Sequence, residues 1–155
     1  RKKYTVETVV NEENTALAVG SEYGGFATPM MIALMENAAA ACIAEQIGEE
    51  NTSVGTMISV SHVSATPIGM KVKATAELVH VEGRRYEFKV MAEDERGLIG
   101  EGTHSRVSVN REKFYNKTYQ NDKGFFRFER SLFDKKIYAL ADTFCGRRSV
   151  LGSMR

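Results

Sequence analysis

Apolar and polar positions follow two different periods along this chain, and the change between them falls near residue 50. From Pro29 to Ala44 the chain reads PMMIALMENAAAACIA, sixteen residues in which only Glu36 and Asn37 are polar. Such a run predicts one long apolar helix, and a helix hydrophobic all round is normally buried. Thr28-Pro29 suits its start, with Thr as N-cap and Pro at the first helical position, and Gly48 suits the residue beyond its end near Gln46-Ile47. Ahead of the helix, residues 4–10 and 15–19 read as strands joined by the polar turn NEEN, followed by the loop SEYGGFATP. Behind it the pattern alternates. Residues 53–64 read as a strand, ATPIG (65–69) as a break, 70–81 and 84–92 as strands joined at Glu82-Gly83, and 98–109 as a last strand after the turn DERG. Val72, Ala74, Ala76 and Leu78 share one face, as do Tyr86, Phe88, Val90 and Ala92. Gly100 and Gly102 suggest a bulge or close packing.

One apolar helix among antiparallel strands predicts an α+β fold, with the sheet wrapped around a central helix and a partner subunit covering what the sheet leaves bare. Glu36 then stands out. An isolated charge buried in an apolar helix is very costly, so this carboxylate must be paired or give up its charge. A carboxylate positioned by a partner can activate water or attack a carbonyl, which makes Glu36 the first candidate for chemistry. The alternative is a structural carboxylate capping a buried turn or pairing across a dimer.

Composition narrows the class. The 155 residues are 43% hydrophobic and 26% charged, an ordinary globular balance with enough chain for a core. The net charge of +1 hides an asymmetry, since residues 1–110 carry 10 basic and 15 acidic side chains and residues 111–155 carry 11 and 5. Two distant cysteines, Cys42 and Cys145, form no framework and fit a reducing compartment, with Cys42 a small core residue. The N-terminal stretch lacks the apolar run of a signal peptide, and the apolar helix reads as shorter than a membrane span, so the expectation is a soluble cytoplasmic protein that meets no membrane. His62, His80 and His104 lie on separate strands without ligand spacing, which predicts no metal, and no phosphate-binding glycine loop is present.

Several motifs in order carry a family likeness. FATPMMIALMENAA, followed by SVGTMISVSHVSATPIGMKVKATAELVHVEGRRYEFKVMAEDERGLIGEGTHSRVSV, resembles the hotdog-fold thioesterases, in particular the fluoroacetyl-CoA thioesterase group, over roughly residues 4–115. The resemblance implies a hotdog fold, an obligate homodimer with its sites at the interface, and metal-independent hydrolysis of a small acyl-CoA thioester without a cofactor beyond the CoA of the substrate. It places catalytic roles on Thr28, Glu36 and His62, puts the glycine that helps hold the substrate carbonyl at Gly55, and aligns a last-strand arginine with Arg106. The phenylalanine lid that the group associates with fluoroacetate selection has no counterpart in SEYGG, so the acyl group is not fixed.

Each residue has a plainer reading beside the functional one. His62 can relay protons to Glu36 or to a departing thiolate, or serve as a structural strand histidine. Thr28 is explained by capping alone, and its hydroxyl can additionally bind substrate or water. Eight residues of helix put Thr28 and Glu36 ~12 Å apart along the axis, too far to touch within one subunit. Unless the helix starts later, Thr28 reaches a site through the substrate or the dimer mate. Gly55 can expose a backbone donor to a developing oxyanion or simply be a turn or bulge residue. Arg106 and His104 share a face of the last strand, where they can meet substrate or pair with acids, and His104 reads as structural. Two rivals on the same fold are a non-catalytic acyl-CoA binding module and, behind it, an enoyl-CoA hydratase, whose usual Asp/His signature is not visible.

The sequence divides at 115, with residues 116–155 a basic, aromatic-rich extension. Nine of the fourteen aromatic residues lie beyond position 110, which argues against plain disorder. A strand or turn near FFRFE and a helix over 131–144 are expected, packed on the domain or on a partner. No nucleic-acid module is present, so nucleic acid is not an expected partner.

Overall fold

Val72, Ala74 and Ala76 are fully buried while Lys71 and Lys73 between them are exposed, the period of a strand with one face on a core. The same alternation buries Tyr86, Phe88, Val90 and Ala92 on the neighbouring strand. In the computed structural model, which describes residues 2–120, these belong to a five-stranded antiparallel sheet. Its strands are β1 (Lys3–Val9), β2 (Asn51–His62), β3 (Lys71–Glu82), β4 (Arg85–Asp94) and β5 (Gly97–Asn110). They lie in the order β1-β3-β4-β5-β2, so β1 and β2 are the edges. Helix α1 (Thr28–Ile47) crosses the sheet and touches all five strands, and α2 (Arg111–Tyr119) follows β5 directly. α2 runs across the boundary drawn at 115 on composition, and the expected strand or turn near FFRFE and the 131–144 helix lie outside the described residues.

Helix α1 buries one face only. Met31, Leu34, Met35, Ala38, Ala39, Cys42 and Ile43 are buried against the sheet, the spacing of a helical stripe. On the other side Ile32, Ala33, Glu36, Asn37 and Ala40 remain half-exposed. Among the described residues the sheet therefore covers one side of the central helix and leaves the other half-exposed. Its 20 residues span ~30 Å, so by length and composition α1 is long enough to cross a membrane, against the sequence reading that it was too short. Its buried stripe is nonetheless that of a core helix packed on a sheet.

Two local expectations change. Residues 15–19 form no strand. Thr15 makes a single bridge to Phe26, and Leu17–Val19 is a 3-10 turn closed by Gly20, leaving Leu17 and Val19 exposed. The Asn14 side chain explains the break: it accepts from the Asn11 N–H and donates to the Val9 carbonyl, turning the chain off the sheet. Thr28 is not the N-cap either. Ala27 holds that position with extended backbone and no side-chain cap, Thr28 is already helical, and its hydroxyl is engaged elsewhere.

What fixes the helix start is the loop between β2 and β3. The Phe26 N–H bonds the Thr66 carbonyl at 2.9 Å and the Ala27 N–H bonds the Asn14 carbonyl at 3.0 Å. Thr66, fully buried, donates its hydroxyl to Asp94 Oδ2 at 2.8 Å, while the Arg96 N–H reaches Asp94 Oδ1 at 2.8 Å. Burial pushes the Asp94 carboxyl up, but the bonds from the Arg96 N–H, the Thr66 hydroxyl and the Arg96 guanidinium together hold it below the usual aspartate range. A depressed folded-state value stabilises the fold above the ordinary aspartate value of about 4 and loses that contribution as pH falls through the folded value. Asp94→Asn is expected to cost about 1–3 kcal/mol at pH 7. In urea unfolding at a series of pH values, the gap between wild type and variant should stay constant down to about pH 5 and close below about pH 4.

Candidate active site

Two side-chain clusters form along the face of the sheet that meets α1. At the start of the helix, Thr28 Oγ1 lies 2.7 Å from His62 Nδ1, which ties the first helical residue to the last residue of β2. The other ring nitrogen, Nε2, is buried and bonds to none of the described residues. Burial lowers the His62 pKa, with a backbone contact to Ser64 working the other way, so the ring is neutral at neutral pH and available as a proton acceptor.

The second cluster lies two helical turns further on. Glu36 Oε2 is 3.7 Å from Arg106 Nη1, with the carboxylate side chain 41% exposed and the arginine side chain 8%. The guanidinium is held on its remaining sides: Nε donates to Ser53 Oγ at 2.8 Å, Nη2 to the Ser53 carbonyl at 2.8 Å, and Nη1 also approaches His104 Nε2 at 3.2 Å. Glu36 is thus a half-open carboxylate beside a buried cation rather than a fully buried acid. The expectation that it needs a partner holds, and Arg106 is that partner. Burial pulls the Arg106 pKa down and Glu36 opposes it; a guanidinium stays charged throughout.

Gly55 belongs to this second cluster. A Cβ built there would lie 3.2 Å from His104 Cε1, 3.3 Å from Glu36 Oε2 and 3.5 Å from Arg106 Nη1. The missing side chain is what keeps space open beside the carboxylate. A bulge brings Gly55 to this face. In a regular strand Gly55 and His62, an odd number of residues apart, would point to opposite faces. The β2–β5 register slips between Gly55 and Met57, so that Gly55 pairs with Arg106, Ile58 with His104 and His62 with Gly100, all facing α1. On β5, Gly100 supplies close approach, since a Cβ there would meet Met31 Sδ at 2.6 Å.

All five expected site residues therefore lie on the helix-facing side, but in two groups: Thr28 with His62, and Glu36 with Gly55 and Arg106. The ~12 Å helical separation expected between Thr28 and Glu36 stands, because Thr28 is helical. Ser53 and Met57 were missed as parts of the second group. Alternation did place His104 on one face with Arg106, but nothing in the sequence marks Ser53 as the guanidinium's acceptor. Among the described residues no three His, Cys, Asp or Glu side chains gather as a metal site.

Comparisons with known proteins identify the family. The family model for fluoroacetyl-CoA-specific thioesterases, FlK, matches residues 10–112. The chain belongs to that family. A curated fluoroacetyl-CoA thioesterase from Streptantibioticus cattleyicolor is 45% identical over 95 residues, covering 61% of this chain and 68% of that one. The solved structure of fluoroacetyl-CoA thioesterase FlK superposes with a TM-score of 0.73 at 39% identity, covering 77% of this chain and 94% of that chain. A thioesterase superfamily member from Thermus thermophilus matches with a TM-score of 0.72 at 27% identity, covering 78% and 90%. The fold is thus the hotdog arrangement of the thioesterases, and the family is one of enzymes.

Filling the space at Gly55 should be felt at once. Gly55→Ala must push His104, Glu36 or Arg106 aside, with an expected loss of about 1–3 kcal/mol from overpacking. Denaturant unfolding reads the loss, and a crystal structure of the variant should show Glu36 and Arg106 further apart than in the wild type.

Proposed function

We propose that this chain hydrolyses a short acyl-CoA thioester to a carboxylic acid and free CoA, using Glu36, Thr28 and His62, with no metal or cofactor beyond the substrate's own CoA. The observation that carries the reading is the half-open Glu36 carboxylate, faced by Arg106 and bordered by the empty side of Gly55. A thioester carbonyl placed beside Gly55 sits within reach of that carboxylate. Water, its proton taken by Glu36, or Glu36 itself attacks the carbonyl carbon. Collapse of the tetrahedral intermediate breaks the C–S bond, and the thiolate takes up the proton that Glu36 removed from water, relayed by the His62–Thr28 pair; where Glu36 itself attacks, water then opens the acyl–Glu36 anhydride, supplies that proton and restores the carboxylate. Arg106 keeps positive potential next to the charge that develops.

We further propose that the working unit is a cytoplasmic homodimer. Among the described residues β2 is a 12-residue edge strand with Met57 exposed, a long unpaired edge of the kind proteins seldom leave free. Beside it lies the half-exposed apolar side of α1. Gly55 lies near the centre of β2 and His62 is its last residue, so the middle of the stretch between them falls at Ile58–Ser59. Antiparallel pairing of two β2 strands about that middle would set the Glu36–Gly55 group of one protomer near His62 of the partner subunit. That arrangement completes a site whose two halves stand ~12 Å apart along one helix.

Thiol release from a panel of fluoroacetyl, acetyl, branched and aromatic acyl-CoAs tests the chemistry. Glu36→Ala and Glu36→Gln are expected to lower kcat by at least about 100-fold on the best substrate, the scale of lost acid–base catalysis. Saturable CoA binding with no turnover of any thioester by the wild type would instead mark a binding module. The depressed His62 value sets the pH dependence: the neutral ring persists to lower pH than an ordinary histidine. The acid limb of kcat/KM is therefore expected below about pH 6.5, and Thr28→Val should move it. Sedimentation equilibrium should give twice the chain mass; a monomer that retains full turnover would refute the shared site.

A further inference from the structure

His104 has no part in the reaction described above, yet it is almost completely buried in the centre of the second cluster, 1% exposed. Its ring stacks on Phe88 with centroids 6.2 Å apart. Its two nitrogens face different partners. Nδ1 lies 2.7 Å from the Met57 carbonyl, which can only accept, so Nδ1 carries a proton and donates. Nε2 lies 3.2 Å from Arg106 Nη1, which can only donate, so Nε2 must offer a lone pair. The two bonds select one form of the ring, the neutral Nδ1–H tautomer. An imidazolium here would turn a second N–H against the guanidinium.

The partners give this ring its significance. Met57 is the residue at which the β2–β5 register resumes after the bulge, so the Nδ1 bond pins the bulge that turns Gly55 towards Glu36. Arg106 Nη1 is the nitrogen that faces Glu36 Oε2. Ser53 holds the other two guanidinium nitrogens, and His104 holds this one. We infer that His104 is a positioning residue, a neutral imidazole that locks the Gly55 bulge and the Arg106 guanidinium into one unit against the Glu36 carboxylate. The inference rests on the proposed role of Glu36 for its kinetic consequence, but not for its geometry. The charged groups that face the ring among the described residues are Arg106 and Glu36. Burial and the Arg106 charge lower the ring's pKa, while the Met57 bond and Glu36 raise it, and the net shift is downward.

Two substitutions separate the two bonds. His104→Asn can keep a donor near the Nδ1 position for the Met57 carbonyl but gives up the acceptor for Arg106. His104→Gln can place an acceptor near the Nε2 position but gives up the bond to Met57. With the best thioester from the panel, His104→Asn is expected to lower kcat by about 10–100-fold with KM changed less than about threefold, the scale of a misplaced catalytic group. His104→Gln should recover part of that loss. A wild-type kcat in His104→Asn overturns the inference.

A second readout needs no turnover. 15N spectra of the wild-type imidazoles should show one ring as the neutral Nδ1–H tautomer at pH 7, persisting to lower pH than an ordinary histidine. The Arg106 Nε–H signal should exchange slowly with water, and faster in His104→Asn. A His104 ring protonated on Nε2 at pH 7 overturns the inference even if both variants fail to fold. If the wild type turns over no thioester but the tautomer and exchange behave as stated, the hydrolase reading fails and the positioning of Arg106 by His104 stands.

Discussion

The packing of α1 on the sheet governs everything else in this molecule. Seven buried side chains, from Met31 to Ile43, fasten one face of the helix to the strands. Each fully buried Leu, Ile or Met side chain contributes ~1.5–3 kcal/mol relative to exposure, so the helix cannot rotate without losing several of them. That fixed rotation decides where Glu36 points. It lies half-exposed on the flank of the buried stripe, over the strands β2 and β5 that carry Gly55, His104 and Arg106. The carboxylate's position is a consequence of hydrophobic burial elsewhere on the same helix.

Sheet and helix must also approach each other closely for polar groups to meet across them. Glycines at 55 and 100 remove the side chains that would stand in the way. Beside them the inward face of β5 changes from apolar packing to His104 and Arg106, whose buried polar atoms are satisfied by Ser53, Met57 and each other. A buried guanidinium without such partners would be strongly destabilising. With them, a cation is held next to a carboxylate that still reaches solvent. The hotdog frame of the family supplies the scaffold, and this patch of the β2–β5 ladder carries the polar groups that meet α1.

The incomplete covering of α1 and the free edge of β2 belong to the same physical problem. A helix with apolar residues on both sides and a sheet on one side only leaves surface that water does not favour. The pairing proposed above would cover it, and would also bring together the two groups that one helix keeps apart. Stability and chemistry would then depend on the same contact.

Much of this was legible in the chain. Periodicity gave the helix, the four strands after it and the buried faces of β3 and β4, because those residues obey the simple rules of one-sided burial. Glu36 was conspicuous as a charge in an apolar run, and the order of motifs pointed to the family. Local chemistry misled where a side chain had a competing partner. Thr28 had the composition of an N-cap, yet its hydroxyl went to His62, a residue 34 positions away. The alternating TALAV was turned off the sheet by Asn14. Gly55 could be read as a turn or bulge residue, but not as which of the two, since a one-residue slip depends on how two strands match and not on either strand alone. Which residues are apolar, and at what spacing, is written in the sequence and determines the helix and the sheet. Which face each polar residue takes was decided only in the folded molecule, because register, bulges and long-range hydrogen bonds are properties of pairs of segments.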